Sequence, residues 1–514
     1  MRSIIIIFLV VLVITLTFLE LEKYNNQSAK NIKTPLLPSV NESNIITKYL
    51  IPVTSFTNTK IYENYSDLLS SDLYTLVENE DLIPEEILAR TTILETIKFP
   101  SNKEIYLITP EQVKPWFRTV QVGNDSYYWS KDFSKKDYPL YKEISSTEEI
   151  NENPNKLVIF AAGEIIPARA VDRLGLNKYN DYTYLFDFFK TDIQNADISI
   201  GLLENSVIGN PAPCTGCMLF VGDDKVIKGL ADVGFDFITT AGNHAGDAGQ
   251  KAYLNTINLL TENNIQFTGT GNCSGDSCLV DEETKHDAFK PIIKDINGFK
   301  IGMISADDVA SYYWKSKEST ENFGTNNLSK IDNGIYPDLD KIQQLKTIKN
   351  TNKIDYLIVY MSWGIEYMNY ATKHQQTLGI LLIDNGADII IGSHPHWVQN
   401  IEFYKEKPII YSLGNFIFDQ THTLETRQGA AVNLYFYNNM LKNIEIMPHQ
   451  ICGYHQTKND LAVKLINKEF TLENIAQTPE KEGCVYWQPQ KLKPNKPEYL
   501  QVLERMFEHT QIVY

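Results

Sequence analysis

The sequence predicts an α/β fold built on parallel or mixed sheets, and three observations carry that prediction. Short apolar runs at Leu357–Met361, Ile389–Ile391 and Ile409–Leu413 have the length and β-branched content of strands buried on both faces. Each run ends in a cluster of polar residues suited to binding: Ser362-Trp363-Gly364, Ser393-His394-Pro395-His396 and Gly414-Asn415. Segments with helical spacing, Tyr184–Asp192, Ala252–Asn263 and Gln375–Asn385, alternate with the strand-like runs, an order that favours helices packed on the sheet.

The same strand-then-polar pattern occurs upstream. Lys156–Ala162 leads into Gly163-Glu164, Asp197–Leu203 into Glu204-Asn205, and Phe235–Thr240 into Ala241-Gly242-Asn243-His244. In open α/β sheets the chemistry collects beyond the carboxyl ends of such strands, so these clusters describe one rim. Histidine and carboxylate groups converging there supply an N/O donor set suited to Zn, Mn, Fe or Mg, and His394 and His396 can face one site from a single turn. A lone histidine, or a Gly-Asn-His turn by itself, has an ordinary structural explanation. Six such strand ends in one domain favour a site.

The stretches GEIIPARAV, LLENSVI, GFDFITTAGNHAGDAG, MSWGIEY and GADIIIGSHPHWVQNIEFYKEKPIIYSLGNFIFDQ together resemble the successive motifs of the CapA capsule-synthesis (poly-γ-glutamate synthesis) family, over roughly Leu157 to Met447. The resemblance implies a calcineurin-like metallophosphatase sandwich of two mixed sheets flanked by helices. It makes Glu164, Glu204, Asn243, His394 and His396 metal ligands and His244 an acid or phosphate-contacting residue. Arg169 becomes a candidate for holding an anionic group, since a guanidinium forks well onto phosphate or carboxylate. Asp247 and Asn415 are expected to orient neighbours within the catalytic set.

Two departures from the family pattern matter. Gly163-Glu164 stands where the family has Gly-Asp, and Ser362-Trp363-Gly364 where it has His-Trp-Gly. A neutral hydroxyl is a poor ligand for a borderline ion, so one tight divalent ion is expected and a second position is weakened. Glu366 is either a substitute ligand or a solvated carboxylate. The implied function is synthesis or processing of an anionic envelope polymer such as poly-γ-glutamate, through metal-dependent hydrolysis of a phosphoester or amide. A membrane-embedded polymer synthase is the implied partner. The alternative is a non-catalytic subunit that uses the same pocket to bind metal or a polyanion.

The 514-residue chain is too long for one core, and its 43% hydrophobic and 11% aromatic content indicates ordered structure. A formal charge of −17 argues against nucleic acid as a partner. Ile4–Leu19 is an uninterrupted apolar run after Arg2, which as a helix would span about 24 Å. With no small-x-small cleavage site close behind, residues 1–21 are expected to form a retained single-pass anchor with the body outside the cytoplasm. Residues 22–45 read as a linker, 46–150 as a small α/β domain, 155–450 as the family domain, and 451–514 as C-terminal strands and a helical tail. Six cysteines in an exported chain favour disulfides, with a four-thiolate zinc site from Cys214, Cys217, Cys273 and Cys278 as the rival.

Overall fold

A computed structural model describes residues 44–59, 68, 70–96, 104–120, 128–130, 133–135, 138–146, 155–209, 211, 218–272, 286–309, 323–331, 335–420, 423–453, 486–494 and 496–513. The architecture is mixed α/β. One sheet of eight strands runs in the order Gln266–Thr268, Phe237–Thr239, Ile198–Leu203, Lys156–Ile165, Gln428–Tyr437, Met440–Ile451, Pro489–Lys491, with Asn415–Ile417 alongside the end of Lys156–Ile165. Its first four strands are parallel, and the long hairpin Gln428–Tyr437/Met440–Ile451 continues it antiparallel. The second sheet has seven strands in the order Ile292–Ile296, Phe299–Asp307, Tyr356–Ser362, Ile389–Ser393, Lys407–Ile410, Ile401–Tyr404, Gln511–Val513. Four of these, from Phe299–Asp307 to Lys407–Ile410, are parallel.

Side-chain alternation assigns the faces. On the second sheet Ile304, Ala306, Leu357, Val359, Met361 and Ile390 pack against helices Leu339–Asn352 and Lys373–Asp384 through Ile342, Leu345, Leu378 and Leu382. On the first sheet Phe160, Ala162 and Leu203 pack against Val226, Ile227 and Leu230 of helix Lys225–Val233 and Leu260 of helix Gln250–Glu262. The opposite faces meet each other: Tyr360 Oη donates to Ala162 O at 2.7 Å and Ser305 Oγ to Thr268 O at 2.9 Å. Residues of odd number on Phe299–Asp307 and of even number on Tyr356–Ser362 and Ile198–Leu203 therefore look into the space between the sheets.

A separate five-stranded sheet, in the order Thr91–Leu94, Asp72–Leu76, Glu104–Ile108, Ile51–Ser55, Phe117–Thr119, occupies the N-terminal part. It has its own ladder, yet Tyr49–Lys142 and Asn153–Tyr514 form one compact unit. Phe56 packs edge-on against Phe403 and Phe507, Trp129 against Tyr437, and Lys442 Nζ donates to Glu111 O at 2.7 Å. The aromatics Trp116, Phe117, Tyr128 and Trp129 are buried and serve packing. The other unit's described residues, 44–48 and 143–146, belong to a two-stranded ladder.

Among the described residues no helix is long and apolar enough to cross a membrane, and Ile4–Leu19 lies outside them. Cys452 is disulfide-bonded; the other five cysteines also lie outside the described residues. The expected helix at Tyr184–Asp192 is instead a 3-10 turn at Thr183–Phe186 and a short α-helix at Lys190–Asn195, whereas the other two expected helices form at Gln250–Glu262 and Lys373–Asp384.

Candidate functional site

Every strand that carries a candidate residue ends at the same rim. Glu204 follows Ile198–Leu203 directly and continues its alternation, so its side chain enters the space between the sheets. Glu164 reaches that space by a different device. A bulge between Ala161 and Glu164 sets three residues against two of the neighbouring strand, so that Phe160, Ala162 and Ile165 all face the helices and Glu164 turns inward. Gly163 permits it: a Cβ there would lie 2.1 Å from Gly414 O. Gly242 has a similar role, since a Cβ there would meet Glu204 Oε2 at 2.7 Å.

Two histidines close over these carboxylates. His394 and His396 both have left-handed backbone, φ 96° and 60°, which aims both rings from one turn. The His394 N–H donates to Glu164 Oε1, and His396 Nδ1 lies 2.6 Å from Glu164 Oε2 and 2.9 Å from Asn415 Oδ1. His394 Nδ1–H donates to Asn243 Oδ1 at 3.1 Å. Asn415 is itself fixed: its Nδ2 donates to Thr426 O at 2.9 Å, and its carbonyl accepts from His449 Nε2 at 2.9 Å.

The electrostatics follow from burial and contact. Burial opposes the Glu164 charge, but the His396 and His394 imidazoles and the His394 N–H outweigh it and hold the carboxyl below its ordinary value. Burial likewise opposes protonation of His396, but the Glu164 charge and hydrogen bond raise it. His394, desolvated and beside charged His396, is lowered to about 3. Glu204 is the unbalanced member. Desolvation, then Glu164, then Asp307 push its carboxyl well above the normal value, against the smaller opposing effect of the Asn243 N–H.

The catalytic candidates all border the site, and Arg169 among them is paired with a carboxylate of the chain. His244 Nδ1–H donates to Asp247 Oδ2 at 2.8 Å, and that oxygen also accepts the Phe220 N–H at 2.7 Å. This fixes the tautomer and leaves Nε2 for chemistry. Arg169 departs from the expectation that it is open to an anion. Its Nε–H donates to Asp419 Oδ1 at 3.1 Å, and its guanidinium lies over the rings of Phe220 and Phe418 at 4.5 and 5.1 Å. A carboxylate on the same chain satisfies the fork that a substrate would use.

Ser362, Trp363 and Glu366 were also singled out by the sequence. Ser362 Oγ is buried with no hydrogen-bonding partner. Trp363 is structural, donating from Nε1 to Tyr411 O at 2.8 Å inside the core. Glu366 is half-buried, accepts from Tyr367 Oη, and adds to the raised pKa of His396, so it borders the site. Sequence reasoning passed over Asp307, fully buried at the end of Phe299–Asp307 and close enough to act on Glu204. The signal was present, for Phe299–Asp307 is one more apolar run ending in acid.

Among the described residues no three His, Cys, Asp or Glu side chains stand as a ready-made chelate. The donor set nevertheless fits a divalent cation. Carboxylates, an amide oxygen and imidazoles gather around the buried Glu204, and buried charge of that kind needs a cation or a proton.

Comparison with known proteins agrees with this layout. A family model described as Bacterial capsule synthesis protein PGA_cap matches residues 158–420. The capsule biosynthesis protein CapA of Bacillus anthracis is 28% identical over 302 residues, 58% of this chain and 68% of that protein. The PGA biosynthesis protein CapA of Bacillus subtilis (strain 168) is 28% identical over 317 residues, 61% of this chain and 77% of that one. Among solved structures, the NAD nucleotidase of Haemophilus influenzae covers 58% of this chain and 56% of its own at 14% identity and a TM-score of 0.33, a likeness too slight to carry an argument. With the family model spanning the six strand-end motifs from Glu164 to Asn415, this chain belongs to the bacterial capsule synthesis protein PGA_cap family.

Proposed function

We propose that this chain is a membrane-anchored, extracytoplasmic protein that makes or processes an anionic envelope polymer such as poly-γ-glutamate, through a metal-dependent hydrolase site on a calcineurin-like sandwich. The observation that carries the reading is the buried Glu204 carboxylate, pushed toward its neutral form beside Glu164 and Asp307 and near the His394–His396 turn. The CapA relatives, one of them described by its role in PGA biosynthesis, support the polymer. Glu164, Glu204, Asn243, His394 and His396 would hold the ion. When bound, it would acidify a water molecule and neutralise charge on the substrate's oxygens. The chain's own contribution is then proton handling and orientation. Asp247 holds His244 so that Nε2 can give a proton to the departing oxygen or nitrogen, and Asn415 holds His396 against Glu164. Phe220 and Phe418 wall the site and help to exclude water.

A second reading, a binding subunit without turnover, is favoured by one observation: Ser362 offers a partnerless hydroxyl where the family pattern has an imidazole. A panel of phosphoesters and γ-glutamyl amides, assayed with Mn²⁺ present, separates the two. The hydrolase reading expects activity that falls by about 10²-fold or more in His244→Asn. Metal binding with no cleavage of any member, by either wild type or Ser362→His, would leave the binding subunit as the better account.

A further inference from the structure

Arg169 and Asp419 form an ion pair whose side chains are only 14% and 9% exposed. The carboxylate is engaged on both oxygens: Oδ1 accepts from Nη2 and Nε of the guanidinium, and Oδ2 accepts the Ala170 N–H at 3.0 Å. Arg169 takes this place at φ 54°, a left-handed backbone that residues other than glycine seldom adopt. Desolvating both ions and holding that backbone are each costly, and such costs collect where a structure fixes groups for a task.

The task follows from what the guanidinium covers. Its Cζ lies 4.5 Å from the centre of the Phe220 ring and 5.1 Å from that of Phe418, and the two rings meet edge to face at 5.2 Å. A cation over a ring face is attracted by the ring's quadrupole, most strongly where water is scarce, so Arg169 pins both rings. Each ring in turn rests on one histidine: Phe220 on His244 at 4.2 Å and Phe418 on His396 at 5.5 Å. The Phe220 branch has a second link, because its N–H donates to the same Asp247 oxygen that accepts from His244 Nδ1. A shift of Phe220 therefore disturbs His244 and the carboxylate that orients it. Phe418 directly precedes Asp419, so one short segment carries both the second ring and the carboxylate that anchors Arg169.

We infer that Arg169 and Asp419 are positioning residues: their ion pair holds Phe220 and Phe418, and through them sets His244 for proton donation and His396 beside Glu164. The inference rests on the hydrolase reading of the site. It replaces the expectation that Arg169 grips an anionic group of the substrate. The two roles differ in kinetics, since a group that only orients others changes turnover whereas one that grips substrate changes affinity.

Two measurements on the full-length protein test it, with Arg169→Met and Asp419→Asn as variants. The first is Mn²⁺-supported hydrolysis of bis(p-nitrophenyl) phosphate. Each variant should lower kcat at least about tenfold while KM changes less than about threefold, the pattern of lost orientation. A raised KM with kcat kept overturns the assignment and returns Arg169 to substrate binding. The second measurement needs no turnover: the rate at which diethyl pyrocarbonate modifies His244 in metal-free protein, mapped by mass spectrometry, with the Asp308-bound His374 as internal control. Both variants should speed modification of His244 beyond replicate scatter, because Phe220 no longer covers it firmly, and leave His374 unchanged. An unchanged His244 rate in variants that melt like wild type overturns the inference. If wild type turns over neither this ester nor any member of the panel above, the hydrolase reading fails and the His244 rates alone decide this one. Should Arg169→Met fail to fold, Asp419→Asn carries both measurements, since its amide oxygen still accepts the Ala170 N–H while the charge that holds the guanidinium is gone.

Discussion

The two candidate ligand histidines owe their aim to backbone that side chains rarely adopt. His394 and His396 at positive φ flank Pro395, whose carbonyl accepts the N–H of Tyr367, itself at φ 62°, and the Tyr367 ring stacks on His396 at 5.8 Å. Three strained residues that brace one another are what a site fixed for function looks like. Sequence could supply the residue types here but not the strain, and it missed Asp307 although that residue, like Glu164, is a carboxylate at the end of an apolar run. It also could not see Asp419 claiming Arg169, a partner 250 residues away. Behind the turn lies His449, fully buried, donating to Asn415 O, with its pKa lowered by desolvation to about 4 from the ordinary 6.5. Between those values the unfolded chain binds the proton and the folded one does not, so this residue makes stability fall as pH drops through the window. The loss should be about 2 kcal/mol by pH 5. His394 acts in the same direction and His396 in the opposite one, so the informative quantity is a difference. Urea unfolding of wild type and His449→Gln at pH 7 and pH 5 should show a shallower pH dependence in the variant. Equal slopes would mean that His449 titrates normally in the folded protein.

Among the elements, those with continuous apolar runs were legible. Lys156–Ile165, Ile198–Leu203, Tyr356–Ser362 and Ile389–Ser393 form where the runs predict strands. Helix Lys373–Asp384 starts at a capping box of Thr372 and Gln375, a signal written in the sequence. The hairpin Ile292–Ile296/Phe299–Asp307 was passed over although Asn297-Gly298 marks its turn. The bulge at Ala161–Glu164 was not legible at all, because nothing in KLVIFAAGE reveals that the last carboxylate changes face. Yet the bulge decides whether Glu164 is a ligand or a misplaced charge among Phe160, Phe186 and Phe189. Gly163→Ala should therefore be costly: its Cβ meets backbone, not a flexible side chain, and overpacking costs about 1–3 kcal/mol where the surroundings cannot yield. Denaturant unfolding should show a loss of at least about 2 kcal/mol, together with weaker Mn²⁺ binding. A variant as stable as wild type would show that the strand relaxes cheaply there.

At the scale of the whole molecule, the described body buries a core between its two sheets and under their helices. The two sheets bury their shared faces against each other and their outer faces under helices, and the C-terminal strand Gln511–Val513 pairs with Ile401–Tyr404 at the edge of the second sheet. Helix Pro497–Phe507 buries Val502, Leu503, Met506 and Phe507, and Phe507 packs on Phe56 of the N-terminal part, so both ends of the body are tied down. A chain with a formal charge of −17 has no general affinity for an anionic membrane surface or polymer, so any attachment or capture of that kind would come from local features. For attachment the candidate is Ile4–Leu19, long enough to insert and without a nearby cleavage site. The expected outcome is that the full chain fractionates with membranes and resists carbonate extraction. A chain lacking Met1–Leu21 should be soluble and unfold at the same denaturant midpoint as the detergent-extracted full chain. Aggregation of the truncated chain would show that the body does not close its core alone, and a mature protein that begins near residue 22 would replace the retained anchor with a cleaved export signal.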